Sequence, residues 1–308
     1  MSRELPDQQL GKLRTEAANA ASAALDERST LEVVKIIHAE DSKVAAAIAP
    51  ALPEIAQAVD LIANALEHGG RLIYVGAGTA GRIAALDAAE CPPTFNTTAE
   101  QVQYVVAGGE KSLGRAREGS EDSRAAGVKD IKRKNPTKRD VVVGVSASGR
   151  TPYTLAAVRY ARGAGAKIVS VTCNRGTELE KFADIAIVAE VGPEVIAGST
   201  RMKAGTAQKI ILNMLSSAAM VRLGKVYGNL MVNVHPKNSK LLERGIRILQ
   251  SAAGVDRRMA LLTLRKIRSV PQALVMLKAG VSASEARRRL GATGGHVRRA
   301  IEMKVSRS

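Results

Sequence analysis

Two short segments carry glycines and hydroxyls at spacings that suit an anion. The first, VGAGTAGR (75–82), sets Gly76, Gly78 and Gly81 in G-x-G-x-x-G spacing between an apolar run and a helix-like stretch, with Thr79 beside Gly78. The second, VSASGRTPYT (145–154), puts Ser146, Ser148 and Thr151 where a strand pattern gives way to a helix pattern. Hydroxyls and free N–H groups at a helix N-terminus attract anions, and the helix dipole adds to that attraction. Two such loops at the carboxyl edge of one sheet can grip a small phosphorylated molecule from both ends. A dinucleotide would need an acid closing the second strand, about 20 residues on. Glu100 precedes that strand and Glu110 follows its Gly108-Gly109 turn, so NAD is not supported. Nor is an ATP P-loop, because no G-x-x-x-x-G-K-[ST] occurs.

One carboxylate stands out beside these loops. Glu90 closes the helix pattern that begins at the glycines and is followed by Cys91-Pro92-Pro93. Acids favour helix N-termini, so an acid at this end is out of its usual place and two prolines would fix its direction; a surface glutamate at a helix end is the plain alternative. Cys91 reads as a small packed residue and not as a nucleophile.

The elements that must carry these residues follow from periodicity. Ser29-Thr30-Leu31-Glu32 is a capping box opening a helix, and LPEIAQAVDLIANALEHGG is a second helix stopped by Gly69-Gly70. Strand-like runs RLIYVGAG, VQYVVAGG, DVVVGVSASG, KIVSVTCN and IAIVAEVG then alternate with helix-like stretches, one of them a charged helical region through Glu118 and Glu121. A long helix near Ser199–Leu223 ends the series. Continuous apolar strands separated by helices predict a doubly wound parallel α/β sheet. After VYGNLMVNVHP the pattern is purely helical, and His235 there reads as structural. The expected organisation is an N-terminal helical arm (1–58), a sheet domain (59–222) and a C-terminal helical domain (223–308), in which SASEARRRL resembles the compact ubiquitin-associated-like fold.

Composition narrows the function classes. The net charge of +17 sits mostly in residues 240–308, with 16 basic and 4 acidic residues; aromatics make up only 2% of the chain. A basic face without stacking rings does not suit single-stranded nucleic acid and fits a solvated surface that draws in anionic substrates. Two distant cysteines, Cys91 and Cys173, point to neither a disulfide framework nor a zinc site. The N-terminal residues MSRELPDQQLGKL have no apolar signal core, and the apolar run Ile210–Val221 is too short to span a bilayer. The expectation is a cytoplasmic protein that binds neither membrane nor nucleic acid.

The Ser-x-Ser-Gly-x-Thr loop resembles that of the sugar isomerase (SIS) domain. GAGTAGRIAALDAAECPPTF, ASGRTPY, GSTRMKAGTAQKIILNML and GKVYGNLMV together resemble the N-acetylmuramic acid 6-phosphate etherase family, over a span from near residue 13 to the C-terminal helices. GPEVIAGSTRMKAGTAQK is the strongest piece and is shared with the glucokinase regulatory protein, a non-enzymatic relative. The resemblance implies a phosphorylated amino sugar as ligand, a homodimer, and a lyase that needs no cofactor or metal. It implies Glu90, Glu121 and Lys240 as catalytic residues; Glu118 and Asp122 are the alternatives beside Glu121. It implies Gly78, Thr79, Ser146, Ser148, Thr151, Ser199, Thr200 and Lys203 as substrate- or phosphate-binding residues. Ala80 departs from the family's common Ser. A non-catalytic sugar-phosphate sensor is the rival reading, although the glucokinase regulator has two SIS units and this length fits one.

Overall fold

A computed structural model describes residues 14–115, 117, 119–234 and 239–303; Glu118 and His235 lie outside them. The described residues form two compact units, one holding the chain up to Ala88 and Glu100–Ser216, the other Ala89–Ala99 and the chain from Ser217 onward.

The first unit opens with short 3-10 turns and then α1 (Thr30–Asp41). Both halves of the α1 capping box are formed: the Glu32 N–H donates to Ser29 Oγ, and the Glu32 carboxylate accepts from the Ser29 N–H at 2.9 Å. There follow α2 (Val44–Ile48), a 3-10 turn containing Pro50, and α3 (Leu52–Glu67). The run Thr30–Glu67 is long and apolar enough, on length and composition alone, to cross a membrane. The Ser42-Lys43 turn and the Pro50 turn divide it, and α3 buries Ile55, Val59, Ile62 and Leu66 as it packs on the sheet.

Five strands follow: β1 (Leu72–Gly76), β2 (Val102–Val106), β3 (Val141–Val145), β4 (Lys167–Thr172) and β5 (Ile185–Val188). All pair in parallel, in the order β2-β1-β3-β4-β5. The doubly wound sheet expected from the apolar runs is therefore present. Every residue of β1 and β3 is buried, as strands covered on both faces require, while edge strands β2 and β5 are only partly buried. The helices of this unit are α4 (Gly78–Phe95, continuing into the second unit), α5 (Lys111–Gly114), α6 (Arg124–Arg133), α7 (Pro152–Gly163), α8 (Glu178–Lys181) and α9 (Lys203–Arg222, likewise continuing into the second unit). The strand order reverses between β1 and β3, and it is at such a switch point, beyond the carboxyl ends, that sheets of this type hold ligands.

Two local expectations need correction. Pro92 and Pro93 do not end the glycine-loop helix, which runs on to Phe95. The prolines fall in its last turn, where they remove only the hydrogen bonds to the Ala88 and Ala89 carbonyls, and Asn96 N–H closes the turn on the Pro92 carbonyl at 2.9 Å. Glu121 lies in a turn and not in a helix, because α6 starts only after Ser123, whose hydroxyl caps it by accepting the Ala126 N–H.

The second unit holds α10 (Ser239–Ala253), α11 (Arg257–Ile267), α12 (Val270–Ala279), α13 (Ala283–Ala292) and α14 (Val297–Glu302). They enclose an aliphatic core that includes Leu249, Leu264, Leu274 and Val297. Asp256 and Ser282 cap α11 and α13 through the Met259 and Glu285 N–H groups. Arg289 is 2% exposed and rests its guanidinium on Glu285 at 2.8 Å.

Candidate functional site

The glycine loop is shaped by what its neighbours leave room for. Only Ala77 separates β1 from α4, and Gly78 takes φ +53°, the left-handed region that glycine occupies freely. A Cβ on Gly81 would sit 2.5 Å from Val106 Cγ2. Glycine there lets α4 start directly against the sheet, so that its first turn, Gly78-Thr79-Ala80, stands at the strand end.

The β3–α7 loop is a hydroxyl network. Ser146, 3% exposed, has its Oγ 2.8 Å from Thr151 Oγ1 and 3.4 Å from Ser148 Oγ, and it accepts the Gly149 N–H at 3.1 Å. Thr151 stands at the N-cap of α7 but its side chain does not cap the helix. The positive end of α7 therefore faces the loop's hydroxyls without a side-chain acceptor of its own.

Between these loops, at the switch point, lies a cavity of about 1130 Å³. Gly78, Thr79, Ser146, Ser148, Thr151 and Thr200 all line it, and so does Glu121. The Glu121 carbonyl accepts the Tyr153 N–H at 2.9 Å, which fixes this turn to the start of α7. Tyr153 also donates its hydroxyl to Asp130 of α6 at 2.9 Å, and burial pushes that phenol well up. A Cβ on Gly127 would lie 2.3 Å from the Tyr153 carbonyl, so α6 and α7 touch backbone to backbone. Glu121 is held beside the hydroxyl loop by this close helix pair.

Other expected residues lie elsewhere. Ser199 is half-buried next to Thr200 and does not line the cavity. Lys203 is 2% exposed, with its ammonium 2.5 Å from Glu40, itself buried on α1. Glu40 also accepts from Lys43 at 2.5 Å and Asn19 at 3.0 Å. Burial alone would raise the Glu40 carboxyl; the three donors outweigh it and hold the group at about 2. The first N–H groups of α9, at Lys203 and Ala204, are taken by buried Glu194 at 3.0 and 2.9 Å, so that helix start has its own anion. Glu90 is exposed on α4, and Lys240 is exposed in the first turn of α10; both belong to the second unit.

Several lining residues escaped the sequence reading. Glu16 reaches the cavity because Thr15, fully buried, accepts from Asn174 Nδ2 at 3.1 Å while the Arg14 N–H donates to Asn174 Oδ1 at 3.0 Å. Arg124, Arg150 and Lys181 bring positive charge, and Gln208 lines the cavity from α9. Behind the glycine loop, buried Asp87 accepts from Tyr74, Asn213 and Ser216, joining β1, α4 and α9; burial raises its carboxyl despite those bonds.

Residues 54–162 match the glucokinase regulatory protein N-terminal SIS domain, and residues 125–218 match the SIS domain. The chain is 54% identical to the N-acetylmuramic acid 6-phosphate etherase of Edwardsiella ictaluri (strain 93-146), covering 95% of this chain and 98% of that one. It is 50% identical to the N-acetylmuramic acid 6-phosphate etherase of Klebsiella aerogenes, with the same coverage. Among solved structures, phosphoheptose isomerase GmhA from Neisseria gonorrhoeae is similar at TM-score 0.49 and 17% identity, covering 62% of this chain and 99% of that one.

Proposed function

The chain belongs to the N-acetylmuramic acid 6-phosphate etherase family, and from that premise we infer how its cavity is used. It is a lyase of amino-sugar recycling: it removes the D-lactyl ether from C3 of N-acetylmuramic acid 6-phosphate, giving N-acetylglucosamine 6-phosphate and D-lactate. The observation that carries the placement of substrate is the pair of loops facing one another at the β1/β3 switch point. The phosphate takes the Ser146, Ser148 and Thr151 hydroxyls, and the sugar extends toward Gly78 and Thr79.

An unactivated ether resists direct hydrolysis. In the open-chain sugar, however, the C2 proton is acidified by the C1 aldehyde. A base removes it, the C2–H pair becomes the C2=C3 bond, and the C3–O bond breaks toward the lactyl oxygen, which takes a proton from an acid. Water then adds at C3 while C2 regains a proton. The steps need one base and one acid. Glu121, in the cavity, handles the C2 proton; Glu90 does not line this cavity, and its proposed service to the lactyl oxygen belongs to the subunit contact of the homodimer proposed below. Lys240 is the reserve proton carrier.

The deciding experiment incubates the protein with N-acetylmuramic acid 6-phosphate and measures D-lactate; a protein that binds the sugar phosphate and releases none is the non-catalytic sensor. Ser148→Ala and Thr151→Ala are expected to raise KM with kcat little changed, since a phosphate contact acts alike on ground and transition states. A kcat loss at constant KM would remove these residues from the phosphate. The active species is a homodimer. On α9, Ile211, Leu212 and Leu215 are spent inside the chain, whereas Leu31 and Val34 of α1 remain 62% and 56% exposed, which favours the N-terminal arm as the contact. An active monomer in sedimentation at assay concentration would contradict it.

A further inference from the structure

Gln208 is 1% exposed, yet its amide Nε2 has no hydrogen-bond partner among the described residues. Buried donors without acceptors are rare, because folding strips them of water and returns nothing. Of the buried side-chain atoms in that condition, Gln208's is the one whose residue lines the cavity. Its position on α9 says what it faces. One turn earlier, a Cβ on Gly205 would stand 3.3 Å from Thr79 Cγ2 and 3.7 Å from Ile83 Cδ1. Residues three apart share a helix face, so Gln208 lies on the side of α9 turned to the start of α4. Thr79 of the glycine loop lines the same cavity.

We propose that Gln208 is a substrate-binding residue whose amide N–H, which no group among the described residues accepts, donates to an oxygen of the sugar. The inference rests on the phosphosugar reading above and deepens it. The phosphate oxygens are served by Ser146, Ser148 and Thr151, and a neutral amide suits a neutral acceptor, a carbonyl or hydroxyl oxygen of the sugar chain.

The test compares the full chain with Gln208→Met, similar in length but without a donor, and Gln208→Asn, which keeps the amide but shortens its reach. Calorimetric titration uses N-acetylglucosamine 6-phosphate and, separately, inorganic phosphate; ligand-free Tm is read alongside. Both variants should bind the sugar phosphate about tenfold more weakly, the effect of one lost hydrogen bond, and bind inorganic phosphate as before. Ligand-free Tm of Gln208→Met should stay level or rise, since no bond of the folded state is removed. A fallen Tm with sugar affinity intact would make Gln208 structural and overturn the proposal. So would an equal loss for both ligands, which would place it under the phosphate. A wild type that binds no sugar phosphate overturns the phosphosugar reading itself, whereas a binding wild type matched by Gln208→Met overturns this inference alone.

Discussion

Glu90→Gln and Glu121→Gln should each lower D-lactate release by about 10²–10⁴-fold, the usual contribution of a general acid or base. They should part company in solvent deuterium exchange at C2. Glu121→Gln loses exchange, because the amide cannot take the C2 proton. Glu90→Gln keeps it, because the base is intact and only the leaving oxygen lacks its donor. Exchange lost in Glu90→Gln and kept in Glu121→Gln would swap the roles. Full etherase activity in both would leave Lys240 as the proton carrier. Neither change should disturb the fold: Glu90 and Glu121 are both exposed, and Glu121 is anchored through its backbone carbonyl, which the substitution retains.

Lys203→Met should be the most damaging change to stability. It leaves the Glu40 carboxylate buried with only Asn19 and Lys43, and breaking a buried ion pair from one side costs about 3–5 kcal/mol. Pairing it with Glu40→Leu should recover most of that loss, since apolar replacements of a buried pair are often neutral. Acid titration provides a second check. The folded Glu40 carboxyl sits at about 2 against an ordinary value of 4.5, so its contribution is complete above 4.5 and is lost as pH falls toward 2. Removing Lys203 takes away the largest of the interactions holding that group down, so the acid-dependent stability between those values should shrink. A melting temperature unchanged by Lys203→Met at neutral pH would return Lys203 to the candidate phosphate ligands.

Legibility in the sequence followed the range of the interactions. The strands β1 and β3 were readable because burial on both faces makes them continuously apolar, and Ser29/Glu32 because a capping box is complete within four residues. The two glycine- and hydroxyl-bearing loops were readable for the same reason, each lying at one strand-to-helix junction. The continuation of α4 through Pro92 and Pro93 was not, since near a C-terminus a proline removes bonds without forbidding the backbone angles. Glu16 reaches the cavity through Asn174, 160 residues from its neighbour Arg14, and Lys203 is withdrawn by Glu40, 163 residues away. No local pattern announces such partners. Gln208 was hidden in another way: it is marked by a bond it does not make, which only three-dimensional accounting reveals.

Glu194, folded under the start of α9, bears on how this sequence is recognised through evolution. The most conspicuous stretch, GPEVIAGSTRMKAG, spends two of its three charged residues inward, leaving Arg201 exposed: Glu194 on the N–H groups of Lys203 and Ala204, and Lys203 on Glu40. A protein chain could inherit that whole passage, retain the scaffold, and have lost both glutamates to which we assign proton transfer. The passage therefore works as a lineage mark and is a poor guide to whether a descendant still turns over its sugar. Among distant relatives, inspection of the positions equivalent to Glu90 and Glu121 should separate the catalysts from the binders.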